Sequence, residues 1–93
     1  MENYNYIFSE ILPGDLYHPG IYLKDVLKTR SIKQKDLAVQ MSIRQNVLSE
    51  IITGKRNITP NIAVKLEHAL GIEAEFWLRL QARYDVLLIK KSY

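Results

Sequence analysis

From Ile21 onward the apolar positions follow a helical period. Leu23, Val26 and Leu27 form one stripe, and the turn around Thr29 to Ser31 closes it. A second short helix follows, with Leu37, Ala38 and Met41 facing inward. Ser42-Ile43 makes a tight connection to a third helix, whose inward positions are Val47, Leu48, Ile51 and Ile52. Gly54 stands where a left-handed residue stops that helix. The clearest start signal is Thr59-Pro60: a hydroxyl that accepts from the opening amides, then a proline where no amide partner is needed. Ile62, Ala63, Leu66, Ala69 and Leu70 make the fourth stripe, and Gly71 ends it. A fifth helix is predicted from about Ala74 to about Leu88. The first nineteen residues, rich in Asn, Tyr and Pro, have no helical period; Pro13-Gly14-Asp15 reads as a turn, and His18-Pro19-Gly20 punctuates the entry to the ordered body. The reading is an all-α domain of five short helices over residues 20–93, preceded by an irregular N-terminal arm, residues 1–19.

Projected at about 100° per residue, the fifth helix carries two apolar arcs. Phe76, Trp77, Leu80, Tyr84, Leu87 and Leu88 fill the first, and Phe76 and Trp77 anchor it in the core. Leu78, Ala82, Val86 and Ile89 fill the second, flanked by Glu75, Arg79 and Asp85. One arc suffices for a core. The second is assigned to a partner surface, the interface of a two-fold homodimer.

Composition narrows the class. The 93 residues suit a single domain, and 47% hydrophobic with 25% charged residues excludes disorder along the whole chain. The longest aliphatic run, Val86 to Ile89, is far too short for a membrane span, and the start lacks the basic-then-apolar pattern of a secretory signal. The absence of cysteine excludes disulfide frameworks, zinc ribbons and thiol chemistry, and a cytoplasmic location is expected. His18 and His68 lie far apart, His68 beside Glu67 reads as a surface residue, and Gly54 has no glycine-rich phosphate cradle around it. Neither an enzymatic activity, a metal nor a cofactor is expected.

The net charge of +3 is unevenly placed. Residues 1–23 hold three acidic and no basic side chains, whereas residues 24–56 hold eight basic against three acidic. A basic middle third suits a polyanion, because neutralising phosphates releases counterions. Within it, residues 34–51 have the layout of a helix-turn-helix: two short helices, a tight turn, and small Ala38 where the helices cross. With Leu37, Met41, Ile43, Leu48 and Ile51 turned inward, the third helix shows Arg44, Gln45, Asn46, Ser49 and Glu50. Arg can donate bidentately to guanine, and Asn or Gln can pair with adenine. Lys33, Lys35, Lys55 and Arg56 flank this face, where phosphate contacts would fix its register. With Gln34 and Val47, these residues make up the candidate DNA-binding set.

The segment resembles the λ-repressor-like helix-turn-helix family. More narrowly, the chain is similar to the HigA (VapI-type) antitoxins of bacterial toxin–antitoxin pairs, over roughly residues 18–86. The narrower likeness rests on His18-Pro19-Gly20, on Gly54-Lys55-Arg56-Asn57-Ile58-Thr59-Pro60, on Ala69-Leu70-Gly71-Ile72 with Ala74-Glu75-Phe76-Trp77-Leu78, and on Leu80-Gln81-Ala82-Arg83-Tyr84-Asp85. The resemblance implies a small transcriptional repressor that binds its own operator DNA and holds a HigB-type toxin, an mRNA-cleaving ribonuclease. It implies that Gln34 touches phosphate and braces the reading helix, that Arg44, Gln45, Asn46 and Glu50 face the bases, and that Lys55 and Arg56 grip the backbone. The chain departs from the family pattern at three places. Ser42 replaces a usual turn former. Lys33 and Arg44 replace the usual Ser or Thr caps, and Ser31 with Gln34 offers an earlier capping box for the second helix. Glu50 puts an anion on the reading face.

The arm carries Tyr4, Tyr6, Ile7, Phe8, Ile11 and Leu12 on an acidic background, a composition suited to a basic partner such as the toxin. Two other readings stay open: a protein-interaction module with the same fold and little DNA binding, which Glu50 favours, and a stand-alone phage-type repressor.

Overall fold

The computed structural model describes residues 17–93, and these form five α-helices with no strand among them. They are α1 (Pro19–Arg30), α2 (Gln34–Met41), α3 (Gln45–Ile52), α4 (Pro60–Leu70) and α5 (Ala74–Lys91). The all-α, five-helix reading holds.

Each boundary has a local cause. α1 starts at Pro19, two residues before Ile21, because His18 caps it. The His18 Nδ1 accepts from the Gly20 amide at 2.9 Å, and Pro19 takes the first helical position. His18 and Pro19 are both buried. α1 and α2 end alike. Ser31 and Ser42 each adopt left-handed backbone with φ 56°. The isoleucine after each returns its amide to the helix, Ile32 to the Leu27 carbonyl at 2.9 Å and Ile43 to the Ala38 carbonyl at 3.0 Å. This is a Schellman closure, with serine where glycine is usual. Ser31 is therefore the stop of α1 rather than the cap of α2, and the expected Ser31–Gln34 capping box does not form. Lys33 and Arg44 precede α2 and α3 without any side-chain cap. α4 starts as its sequence signals: the Thr59 hydroxyl accepts from the Ile62 amide at 3.3 Å, Pro60 follows, and Gly71 at φ 74° ends the helix.

The core gathers the inward stripe of every helix: Leu23 from α1, Leu37 and Met41 from α2, Leu48 and Ile51 from α3, Leu66 from α4 and Trp77 from α5 are fully enclosed. Tyr22, Phe76 and Trp77 pack edge to face, with ring centroids 5.0–5.6 Å apart. The Trp77 indole donates to the Ile72 carbonyl at 3.2 Å, which satisfies its one polar atom. Two long side chains close helix ends from outside. Arg30 donates to the last carbonyl of α4, on Leu70, at 2.7 Å, and Glu67 accepts the first amide of α5, on Ala74, at 2.8 Å.

α5 extends to Lys91, three residues past its expected end. It rests mainly on α4 and α1. Phe76, Trp77 and Leu80 are buried and Tyr84 and Leu87 half-buried, but Leu88 is 43% exposed and does not join the core. The reason is length: from Leu88 onward every residue of the helix is exposed. The second arc is split as well. Leu78 is half-buried against the core, whereas Ala82, Val86 and Ile89 stay open.

The start of α1 sits directly on the end of α3. A Cβ on Gly20 would overlap the Ile51 carbonyl oxygen and stand 2.9 Å from that of Ile52. Both neighbours are backbone and cannot swing aside. Gly20→Ala is expected to lower stability by about 3 kcal/mol. Gly71→Ala, whose added Cβ meets nothing within 4 Å, is expected to lose only the left-handed preference, about 1–2 kcal/mol. Urea unfolding of the two variants checks this order; equal losses would show that the α1–α3 approach is not tight.

Candidate nucleic-acid interface

α2 and α3 are each eight residues long and are joined by Ser42-Ile43-Arg44. The turn is tight because the left-handed Ser42 reverses the chain in one residue, and Ile43 then packs back against the core. Ala38 is buried with Leu37 and Met41 under α3, and Leu48, Ile51 and Ile52 pin α3 from its inner side. With those residues fixed, the helical period leaves no choice about the outer face. Arg44, Gln45 and Asn46 are exposed at its N-terminal end, and Ser49 and Glu50 are partly exposed further along. Val47 is half-buried against the core, so it contributes to the shape of the face more than to its chemistry. Lys33 and Lys35 are exposed at the start of α2, with Gln34 half-buried between them.

The segment after α3 folds back over its end. The Lys55 and Arg56 amides both donate to the Glu50 carbonyl, at 2.8 and 3.2 Å, and the Thr53 hydroxyl donates to that of Ser49 at 2.9 Å. Gly54 at φ 81° makes the reversal. The side chains follow the backbone: Arg56 reaches the Glu50 carboxylate from Nη2 at 2.7 Å and from Nε at 2.8 Å. The anion that looked out of place on the reading face is thereby paired. Both partners are about half exposed, and an ion pair in such a setting contributes only about 0.2–1 kcal/mol. A phosphate can compete for Arg56. Lys55 stands exposed beside it.

The face thus presents hydrogen-bonding side chains in its middle and cations on both flanks, a layout suited to base edges and phosphates respectively. Among the described residues no group of three or more His, Cys, Asp or Glu is placed to hold a metal, and no helix is long and apolar enough to cross a membrane. A groove of about 450 Å³ runs along α1 from its cap, lined by Tyr17, His18, Pro19, Ile21, Tyr22, Lys24, Asp25 and Lys28 with Leu80 of α5, and it shares no residue with the exposed face of α3.

The description "helix-turn-helix" fits a family model that matches residues 23–77. The chain belongs to the helix-turn-helix family. It is 41% identical over 70 residues to the virulence-associated protein A′ of Dichelobacter nodosus, a stretch that covers 74% of this chain and 61% of that relative. Its fold superposes on an addiction module antidote protein of the HigA family from Coxiella burnetii with a TM-score of 0.76 at 32% identity, over 83% of this chain and 85% of the other. The Pseudomonas aeruginosa antitoxin HigA, solved with the higBA promoter, superposes with a TM-score of 0.79 at 26% identity, again over 83% of this chain and 85% of the other. The likeness to HigA antidotes seen in the sequence motifs is therefore present in the fold.

Sequence reasoning missed two buried polar side chains that pack near the segment after α3. Gln81 on α5 is buried; its Oε1 accepts the Ile58 amide at 2.7 Å, and its Nε2 donates to Asp85 at 2.9 Å. His18 is buried with its ring edge on Tyr84, centroids 5.0 Å apart, and its Nε2 has no hydrogen-bond partner. The only signal for either was membership of a quoted motif. Burial pushes the His18 imidazole below its ordinary value of 6.5, against smaller opposing pulls from the Asn57 side chain, the Asp85 carboxylate and the Arg56 backbone. The unfolded chain thus takes up the proton first as the pH falls. His18 contributes stability that is present above pH 6.5 and is lost as the pH drops from there toward its lower folded value. Protonation also removes the Nδ1 lone pair that caps α1. Thermal melts between pH 7.5 and pH 5 are expected to show a falling Tm for this helix-turn-helix chain and a flatter profile for His18→Asn, which keeps a cap acceptor without the titration. Parallel profiles would remove His18 as the cause.

Proposed function

We propose that this chain is the antitoxin of a type II toxin–antitoxin pair, a cytoplasmic homodimer that represses its own operator and neutralises a HigB-type toxin. The observation that carries the DNA half is the outer face of α3, where Arg44, Gln45 and Asn46 stand exposed between the cations of α2 and those of the Gly54–Thr59 loop. The Pseudomonas aeruginosa HigA solved with its promoter has the same fold and supports this reading. On this proposal α3 lies in the major groove, Arg44, Gln45, Asn46, Ser49 and Glu50 address base edges, and Lys33, Gln34, Lys35, Lys55 and Arg56 hold phosphates. One reading helix makes few contacts, so operator binding calls for two, with half-sites about one helical turn apart. The exposed side chains of Ala82, Val86 and Ile89, with Leu78 at their edge, are assigned to the dimer contact.

Gel-shift titrations on promoter DNA test this. Asn46→Ala is expected to weaken binding by about 1–3 kcal/mol and to relax preference at one base pair. Lys55→Ala is expected to weaken all sequences alike and to reduce the salt slope by about one. Val86→Glu with Ile89→Glu, both on open surface, is expected to give a folded monomer with most operator affinity gone. Wild-type binding by all three proteins would refute the assignment, and a double variant that still sediments as a dimer would move the interface elsewhere.

The toxin half of the proposal assigns Tyr4, Tyr6, Ile7, Phe8, Ile11 and Leu12 to the toxin contact. These residues lie outside the described part of the structure, and the assignment rests on their apolar side chains against the acidic background of Glu2, Glu10 and Asp15 and on the kinship with antidote proteins. Removal of residues 1–16 is expected to weaken binding of a HigB-type toxin at least tenfold, as read by calorimetry, with the helical circular-dichroism signal kept. Unchanged affinity would take the arm out of the interface.

A further inference from the structure

Three motifs far apart in the sequence meet in one place. His18 and Gly20 come from the start of α1, Gly54 to Thr59 from the segment after α3, and Gln81, Tyr84 and Asp85 from the middle of α5. Their meeting point is the loop that carries Lys55 and Arg56. Gly54 lies next to His18: a Cβ added to it would meet the His18 Cβ and Cγ at 3.6 Å, an ordinary van der Waals distance. Tyr84 packs against the His18 ring. Four residues further along the loop, the Ile58 amide is held by Gln81 across 23 positions of sequence, and Asp85 orients the Gln81 amide from one helical turn away. Ile58 itself is 3% exposed. The loop is thus gripped at both ends from α1 and α5, while its middle, with Lys55 and Arg56, remains outside.

We propose that Gln81 and His18 are positioning residues for the phosphate-contact loop, through which α5 sets the affinity of the chain for DNA. The proposal rests on the reading of Lys55 as a phosphate contact. Neither residue touches DNA. Gln81 fixes where the loop leaves the protein surface, and His18 fixes where it enters, so the span between them has little freedom left to lose on binding phosphate. Gln81 lies on the helix that also bears the open Val86 and Ile89. By linkage, a partner seated on α5 that displaces Gln81 changes promoter affinity by the same factor by which promoter DNA changes that partner's affinity.

Gln81→Met in the full chain keeps the side-chain length and removes the acceptor. Amide hydrogen exchange at Lys55 and Arg56, whose own acceptor on Glu50 is untouched, is expected to rise about tenfold while Leu48 and Ile51 stay protected. Affinity for a promoter duplex is expected to fall about tenfold with a shallower salt slope. Lys55→Ala on top of Gln81→Met is expected to lose less than Lys55→Ala alone, because a misplaced lysine has less to give up. Unchanged exchange, a loosened loop with full affinity, or strictly additive losses each overturn the proposal. Should Gln81→Met not fold, His18→Asn is put through the same measurements, since it keeps an acceptor for the Gly20 amide and removes the ring from Gly54 and Tyr84. Full promoter affinity of Lys55→Ala alone overturns the phosphate reading and this proposal with it; a loss there beside an unaffected Gln81→Met overturns the positioning role alone.

Discussion

The absence of a side chain at Gly20 is the constraint on which the rest of this structure turns. It lets the first turn of α1 press onto the Ile51 and Ile52 carbonyls at the end of α3. The carbonyls of a helix end need partners or cover, and here backbone supplies the cover with no Cβ in between. The same approach places His18, two residues earlier, against Gly54, and so against the loop that leaves α3. α5 then finds its seat on α1 and α4, with Tyr84 on the His18 ring and Gln81 at the Ile58 amide. Any larger residue at position 20 would lift α1 from α3 and open each of these contacts in turn.

A second consequence concerns the short helices. α2 and α3 have eight residues each, well below the roughly 12–15 at which an isolated helix becomes marginally stable in water. Neither has a side-chain cap at its start, and both α1 and α2 end in a left-handed serine that costs about 1–2 kcal/mol relative to glycine. Local preference therefore does not hold the reading helix. Its inner stripe does: Leu48, Ile51 and Ile52 are buried, and a Leu or Ile side chain contributes about 1.5–3 kcal/mol on full burial. The orientation of Arg44, Gln45 and Asn46 is thus set from beneath, by packing. The first amides of α2 and α3 have no side-chain cap, and negative charge is favoured at such helix starts.

Most of the architecture was legible in the chain because it is written in local terms. Thr59-Pro60 and Gly71 act within one turn of themselves, and the stripes of α1 to α4 need only a period of 3.6. The reading face was legible for the same reason, since fixing the inward residues of α3 fixes the outward ones. Three things escaped. Ser31 offers a hydroxyl suited to a cap, yet its backbone is already committed to closing α1, and no propensity weighs those two roles against each other. Leu88 has the phase of the core arc, but phase does not say where the underlying helices end. Gln81 bonds across 23 residues, and no periodicity reports a polar contact of that range.

Glu50 is the residue at which the sequence and the structure most change each other's meaning. As a letter in the reading helix it opposes a polyanion. In place, its backbone carbonyl accepts both loop amides and its carboxylate accepts two donors from Arg56, so one residue supports the loop twice. The backbone bonds keep the loop in position irrespective of charge, while the exposed ion pair is weak enough to exchange. Both Arg56 donors meet Oε1, so the other carboxylate oxygen takes no bond from Arg56, and among base edges the group that suits a carboxylate is the cytosine amino donor. An anion at this point therefore costs the free chain little.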